Sequence, residues 1–449
     1  MGRGMVTRAL SRGGTLLVLA WSLLVVGNQR SIGFLWEPSI ALIALGGLLT
    51  ALVVMRVDLD RLKPPRRWIV AAAAILVTVF TITHKVFSYT SGPDLERLTV
   101  FAGSCALMAG VMWLLWPEVI RLGGLALAIC SAVVLALAVL KLDQHPHIDV
   151  WIFLTQAVDV TDHFHNMYTH SWVGSPGFNH SYPYLPMTEI PLIPAKLVLG
   201  DVRFAMVAAL VAAGVLMVRG VRRHEAYGAV LLFAITPGLL ALVEQSWTEP
   251  LLFVWLVAAL FCVDRGRLVA AVVFLALALA TKQHVVVLVP IFAVWQPFGW
   301  RRTLAAVGGA VLLCLPWALA DLSAFHYGTV TRLVGMPPRL DAPELFTAAA
   351  DAGWTPPRVL TILVILVGAA AATWRARQFT GAGAIALCCA FALYVVNLVN
   401  QQAFYNQWWL VGSLILVGLA WSPSVTGHRP NKRKARVAAL RRADMVSGA

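Results

Sequence analysis

Apolar residues along this chain come in long runs, separated by short basic or polar stretches. The runs fall at about 13–29, 36–55, 68–88, 98–116 and 120–141, and then at about 202–219, 227–243, 250–263, 267–281, 284–297, 303–320, 358–374, 380–398 and 407–422. None shows the strict two-residue alternation of a barrel strand, so each reads as a helix. Many approach the roughly 20 residues that cross a bilayer as a helix. The pattern predicts an all-α polytopic membrane protein with about 14 transmembrane helices, 12 at the fewest. The runs between 250 and 297 are short and read as tilted, broken or re-entrant.

The basic residues order these spans. With the N-terminus in the cytoplasm, the inside loops are Arg56–Arg67, Glu118–Arg121, Arg219–Arg223, Asp264–Arg267, Gly299–Arg302, Arg375–Arg377 and the tail. The outside segments are then Lys141–Gly200, Glu244–Glu249, the turn at Lys282, Asp321–Arg358 and Asn397–Tyr405. Nearly every arginine cluster falls inside, as the positive-inside rule requires. A multi-pass protein of the inner (plasma) membrane is predicted, with both termini cytoplasmic and the polar loops extracytoplasmic. The first residues, MGRGMVTRALSR, resemble a signal peptide, but no clear small-x-small cleavage site follows and the first helix is expected to be retained.

Composition agrees. The chain is 59% hydrophobic and 12% charged, against about 25% charged in an average soluble domain. The net charge of +14 would suggest nucleic acid in a soluble protein; here it reflects membrane topology, and no nucleic-acid partner is expected. The six cysteines all lie inside apolar runs and read as small core residues. The segment 423–449 is rich in Arg, Pro and Gly and reads as a disordered basic cytoplasmic tail.

The longest polar interruption is Lys141–Gly200. It holds six of the eleven histidines, together with Asp143, Asp149, Asp159, Asp162 and Glu189. Polar residues in a membrane protein mark chemistry or water. A helix starting at Asp149 would put Val150, Phe153, Leu154, Ala157 and Val158 on one face and Asp149, Ile152, Gln156 and His163 on the other, an amphipathic helix lying on the membrane. Asp149 then serves either as a base at the lipid boundary or as the cap of that helix. Next, Tyr182 and Tyr184 sit among prolines that hold the chain extended, as a connector or as a sugar-stacking segment. Glu244 and Glu249 flank Trp247 at an outer helix end, where Pro250 suits a first turn and Thr248 or Glu249 could cap. Lys282 and His284 lie between wholly apolar runs, where a lysine needs an anion: a phosphate, or Glu249. Asn400, Gln401, Gln402, Tyr405, Asn406 and Gln407 gather amides and aromatics as a sugar pocket does; an aromatic belt explains Trp408 and Trp409 as well. The H-x-H pairs around His147 and His165 are weak metal signals, and the reading requires neither metal nor cofactor.

At these residues the chain resembles the GT-C superfamily of polyprenyl-phosphate-sugar-dependent glycosyltransferases, most of all its actinobacterial mannosyltransferase-like members. The likeness rests on Asp149 in a large extracytoplasmic loop, the juxtamembrane helix and Tyr182–Pro186 behind it, Glu249-Pro250, Lys282 and the late amide cluster. It covers roughly 120–422. Family members place the aspartate after their first helix, whereas four spans precede it here, so 1–117 reads as an N-terminal four-helix module, followed by a GT-C-like catalytic domain over 118–422 with its loop at 141–201. The resemblance implies inverting transfer of a sugar from a polyprenyl-phosphate donor to an acceptor hydroxyl of a cell-envelope glycolipid or glycan. It gives Asp149 as general base, Lys282, His284 and Arg332 as ligands of the donor phosphate, and His147, Tyr182, Tyr184, Glu249, Gln401 and Tyr405 as substrate-binding residues. The loop Tyr327–Arg339 would close as a lid. The alternative is a transporter or flippase for a polar or lipid-linked substrate, which predicts inverted repeats and charges in mid-helix.

Overall fold

The computed structural model describes residues 13–31, 36–84, 88–90, 92–115, 117–163, 165–175 and 178–422. The expectations for the signal-like first residues and for the basic tail lie outside them. The described residues are helical, with no strand among them.

The first five helices are α1 Gly13–Arg30, α2 Glu37–Arg56, α3 Arg67–Thr83, α4 Gly92–Leu114 and α5 Glu118–Leu142. The long polar loop carries α6 Asp149–Asp162 and α7 Leu192–Leu199. Then come α8 Arg203–Gly220, α9 Tyr227–Ala234, α10 Leu239–Glu244, α11 Glu249–Asp264, α12 Leu268–Leu279, a 3-10 turn Gln283–Leu288 and α13 Val289–Val294. After α14 Trp300–Ala320, short pieces α15 Leu322–His326, a π-helical turn Tyr327–Thr331, α16 Arg332–Gly335 and α17 Leu345–Asp351 lead to α18 Arg358–Ala376, α19 Ala382–Val399 and α20 Tyr405–Ala420.

By length and composition, seven described helices can cross a membrane: α2, α4, α5, α8, α14, α18 and α19. Two expected runs are broken. The run at 227–243 becomes α9 and α10, because Pro237 and Gly238 intervene and Gly238 takes φ +84°, a backbone state that glycine adopts freely. The run at 284–297 becomes the 3-10 turn and α13, which Pro290 opens in its first turn.

The two outermost helices show what solvent surrounds them. Only 11% of α14 and 28% of α18 is buried inside the protein, against 83% of α19. Leu312 and Leu319 on α14, and Val359 and Val367 on α18, are bare. Water would not tolerate continuous apolar faces of this kind; lipid does. The centre is α19 with α20, and the N-terminal helices pack on it: α1 against α20 and α2 against α19. Tyr394 on α19 donates its hydroxyl to the Ile43 carbonyl at 2.7 Å. This close approach needs Gly46, where a methyl group would sit 2.8 Å from that hydroxyl. Of the cysteines, two depart from the expected core: Cys130 is exposed on α5 and Cys314 is half-buried on α14.

The connecting loops sort into two ends. Arg375 bonds the carbonyls of Val54 and Val57, Asp60 accepts from the backbone of Thr380 and Gly381, Arg222 pairs with Asp264, and His224 meets Glu118. These are the loops expected on the inside. Those expected outside bond one another elsewhere: Gln283 with the carbonyls of Pro183 and Thr329, and Arg339 with Gln401, while Glu244 accepts from Ser88 and Thr90 between α3 and α4.

Candidate active site

The Lys141–Gly200 segment is folded around an aromatic knot. In α6, Phe153, Leu154, Ala157 and Val158 are buried while Asp149 and Ile152 are half-buried, the division that helical periodicity gives, except that Val150 is half-buried as well. Phe153 meets the rings of Tyr182 and Tyr184 at 5.8 and 5.6 Å between centroids. Tyr168 donates to the Tyr184 carbonyl at 2.8 Å, and Trp172 to that of Ser181 at 3.1 Å. The proline-held segment then docks on the turn after α12: Met187 N–H donates to Ala280 O at 2.9 Å, and Thr188 Oγ1 to Thr281 O at 2.8 Å. These bonds fix Lys282 beside Tyr184.

Between these parts lies a cavity of about 770 Å³, within the size range of ligand pockets. Its wall takes residues from all the segments expected outside: His147, Asp149 and Tyr184 from the long loop, Gln245 and Trp247 after α10, Lys282 and His284, Met336 and Arg339, then Asn400, Gln402, Phe404, Asn406 and Gln407. Residues far apart in sequence thus put a carboxylate, cations, amides and aromatic rings around one space.

Asp149 occupies the first turn of α6 rather than its cap, which is Ile148. Its Oδ1 accepts from Val150 N–H at 2.8 Å. Burial raises its pKa above the ordinary carboxylate value, opposed by that N–H and by the charge of Arg339. Lys282 is 6% exposed and its Nζ lies 2.5 Å from Glu249 Oε1, so it has the protein anion foreseen as the alternative to a phosphate. The same Nζ stands 4.9 Å from the Tyr184 ring centroid. Asn406 donates to the other Glu249 oxygen at 2.7 Å. Glu249 is thus the partner of Lys282 and Asn406 behind the wall, not part of the wall. Pro250 lies in the first turn of α11 as expected; Thr248 is the N-cap residue, but its side chain makes no capping bond.

Four other expected substrate contacts are placed elsewhere. Tyr182 is fully buried and donates to Glu189 Oε2 at 2.8 Å. Tyr405 is buried against Trp247, its hydroxyl donating to the Pro237 carbonyl at 2.8 Å and to Gln29 Oε1 at 3.0 Å; it braces the α9–α10 break. Gln401 is not in the cavity wall, and its carbonyl accepts Arg339 N–H at 2.9 Å. Arg332 lies over the Phe178 ring at 5.7 Å, outside the wall. The cation that this loop brings to the cavity is Arg339, which sequence reasoning passed over. Its guanidinium is chelated by Asp341 at 2.7 and 3.3 Å and stacks 4.0 Å from the Phe404 ring centroid. The histidines disperse: His145 stands against Trp151, His163 bonds the Asp159 carbonyl and His170 lies by Trp172, while His147 reaches the cavity.

No family model matches the chain, and neither a curated protein nor a solved structure does.

Proposed function

We propose that the chain is an inverting glycosyltransferase of GT-C type that moves a sugar from a polyprenyl phosphate to an acceptor hydroxyl at the outer face of the plasma membrane. In this reading the membrane is crossed about fourteen times, as the spacing of apolar runs requires, and both termini are cytoplasmic. The observation that carries the proposal is that Asp149, Lys282 and Arg339 share one cavity with a row of amides.

The chemistry follows from what each group can do. A hydroxyl is a poor nucleophile until its proton is drawn off. Asp149 takes that proton as the acceptor oxygen bonds to the anomeric carbon, and a positioned base of this kind supplies typically about 10²–10⁴-fold. On the opposite face of the sugar the bond from anomeric carbon to phosphate oxygen breaks, and the electron pair leaves with the lipid phosphate. Lys282 and Arg339 meet the growing negative charge, each oriented beforehand by a carboxylate. Asn400, Gln402 and Gln407 offer paired donors and acceptors to sugar hydroxyls, and Trp247 and Phe404 offer apolar faces.

The test is a transfer assay with purified protein in lipid, radiolabelled polyprenyl-phosphate sugars and a glycolipid acceptor extract, wild type beside Asp149→Asn. Labelled product that disappears in the variant supports the reading. Folded wild-type protein that yields no product with any donor sinks it.

A further inference from the structure

Gln283 lines the cavity between Lys282 and His284, and the chemistry of transfer gives it no part. Its amide nitrogen is held by two separate segments. It donates to Pro183 O at 2.9 Å, next to Tyr184 of the wall, and to Thr329 O at 3.0 Å, in the π-helical turn. A glutamine amide has two N–H groups, so both are spent. The frame beneath is fixed too. Leu185 N–H donates to Thr281 O at 3.3 Å and Met187 N–H to Ala280 O at 2.9 Å, which lays the proline-held segment along the turn that carries Gln283. Turning the amide over would set its oxygen against two carbonyl oxygens, so these partners decide its orientation.

What remains is Oε1. It bonds no group among the described residues, and it is not one of the atoms sealed in the core without a partner. Gln283 is half-buried on the cavity wall, so this oxygen is open to what enters there. A carbonyl oxygen has no proton to give: it accepts from a hydroxyl and repels a phosphate or carboxylate oxygen.

We infer that Gln283 Oε1 accepts a hydrogen bond from a carbohydrate hydroxyl in the cavity, and that it selects a sugar bearing this hydroxyl over the analogue that lacks it. That the ligand is a sugar rests on the transferase reading. The hydroxyl belongs either to the transferred sugar or to the acceptor. The amide is already immobile, so binding orders no further rotamer, whereas a ligand without the hydroxyl leaves the oxygen unpaired. The same amide ties down the π-helical turn that leads to Leu333, Met336 and Arg339 of the wall. Its contact with ligand must therefore be measured apart from its structural role.

A cycle of protein and ligand changes does this, because the structural cost cancels between two ligands on one variant. Wild type, Gln283→Lys and Gln283→Met are placed in lipid nanodiscs and titrated by tryptophan fluorescence. Gln283→Lys keeps N–H donors for both carbonyls and removes the acceptor; Gln283→Met removes donors and acceptor alike. One set of probes is octyl α-mannoside and octyl β-glucoside, below their micelle concentrations. The other is citronellyl phosphate carrying mannose or glucose. Each is compared with its monodeoxyfluoro analogues, whose fluorine fills the place of a hydroxyl but cannot donate. Wild type should bind one analogue about 5–10-fold more weakly than its parent, the scale of one hydrogen bond, and the ratio should fall to about one in both variants. A ratio confined to the phosphate probes places the hydroxyl on the transferred sugar, and one confined to the octyl glycosides places it on the acceptor. Wild type that binds every analogue as well as the parent, a ratio that persists in both variants, or no binding of any parent by wild type would each overturn the inference. Gln283-dependent discrimination by a protein that transfers nothing would keep the hydroxyl site and remove the transferase reading.

Discussion

The Lys282–Glu249 pair can be taken apart so that its structural and chemical roles separate. At 2.5 Å the gross attraction is about 7 kcal/mol for an effective dielectric of about 20, but removing both groups from water offsets most of it. What a single substitution reads is therefore the cost of the charge left behind. Glu249→Gln keeps an acceptor for Asn406 and strands the lysine; Lys282→Met strands the carboxylate with one amide donor. Each should cost about 3 kcal/mol, the low end for a broken buried pair, because the cavity lets water approach Lys282. The double variant strands neither charge and should cost no more than about 2 kcal/mol, so the two substitutions couple by at least about 4 kcal/mol. Denaturant titration in detergent would show both single variants below the double. A double variant less stable than either single one refutes the pairing argument. Function then parts from stability. Lys282→Met and the double variant should lose donor binding, whereas Glu249→Gln should retain it, since a phosphate can replace the missing carboxylate. Donor binding retained by the double variant would remove Lys282 from the phosphate site.

Other consequences are sharper in sign than in size. Asp149→Asn should lower kcat about 10²–10⁴-fold with an unchanged thermal midpoint; because burial raises the pKa of Asp149, the acid limb of the rate profile should fall above the ordinary carboxylate value. Gly238→Ala meets both φ +84° and the Tyr405 ring, 2.1 Å from the new methyl, and should cost at least about 2 kcal/mol in the same titration. Burial holds Glu189 up at about 8 and Glu344 at about 9, so folding favours their protonated forms. Their stabilisation is complete below the unfolded carboxyl value near about 4.3 and is lost as pH rises through 8 to 9; Glu344→Gln should flatten that slope between pH 5 and 9, and an unchanged slope would refute the assignment.

Which parts of this were readable in the chain follows from how strongly each is constrained. Lipid leaves the backbone no choice but internal bonding, so the helical runs stand out, and α6 is legible down to its buried face. Lys282 and Asp149 are legible because charge beside long apolar runs demands a reason. Direction within a loop has no such signal. Tyr182 and Tyr184 share a face in a two-residue strand repeat, but the prolines impose a nearer three-residue repeat, as at Leu185 with φ −84° and ψ 160°. The Tyr182 ring is therefore enclosed in the knot, whereas the Tyr184 ring meets Phe153 and also lines the cavity. Phe404 and Tyr405 are adjacent, and the start of α20 between them turns the first to the cavity and the second to the α9–α10 break. Arg339 was hidden for a related reason: Arg332, Arg339 and Arg358 share one long polar segment, and only the bonds to Gln401 and Phe404 distinguish the residue that reaches the cavity.

The distribution of buried polarity bears on enzyme against transporter. Transport across the bilayer requires polar groups near its middle and a second opening on the other side. The groups around the cavity all come from segments at one end of the bundle, and the buried pair Lys282–Glu249 belongs to that end as well. The helices below it meet through apolar side chains such as Phe253, Leu410, Val411 and Leu414. In the proposed reading this cavity brings two substrates together from the outer leaflet and the water above it, and neither has to take a route to the far side. Transfer between a lipid-borne donor and an outer acceptor needs no such route. Donor-dependent flux of a labelled lipid across proteoliposomes by the Asp149→Asn variant would reverse this conclusion, because it would require a path through the apolar layer that the packing of α11 against α20 fills.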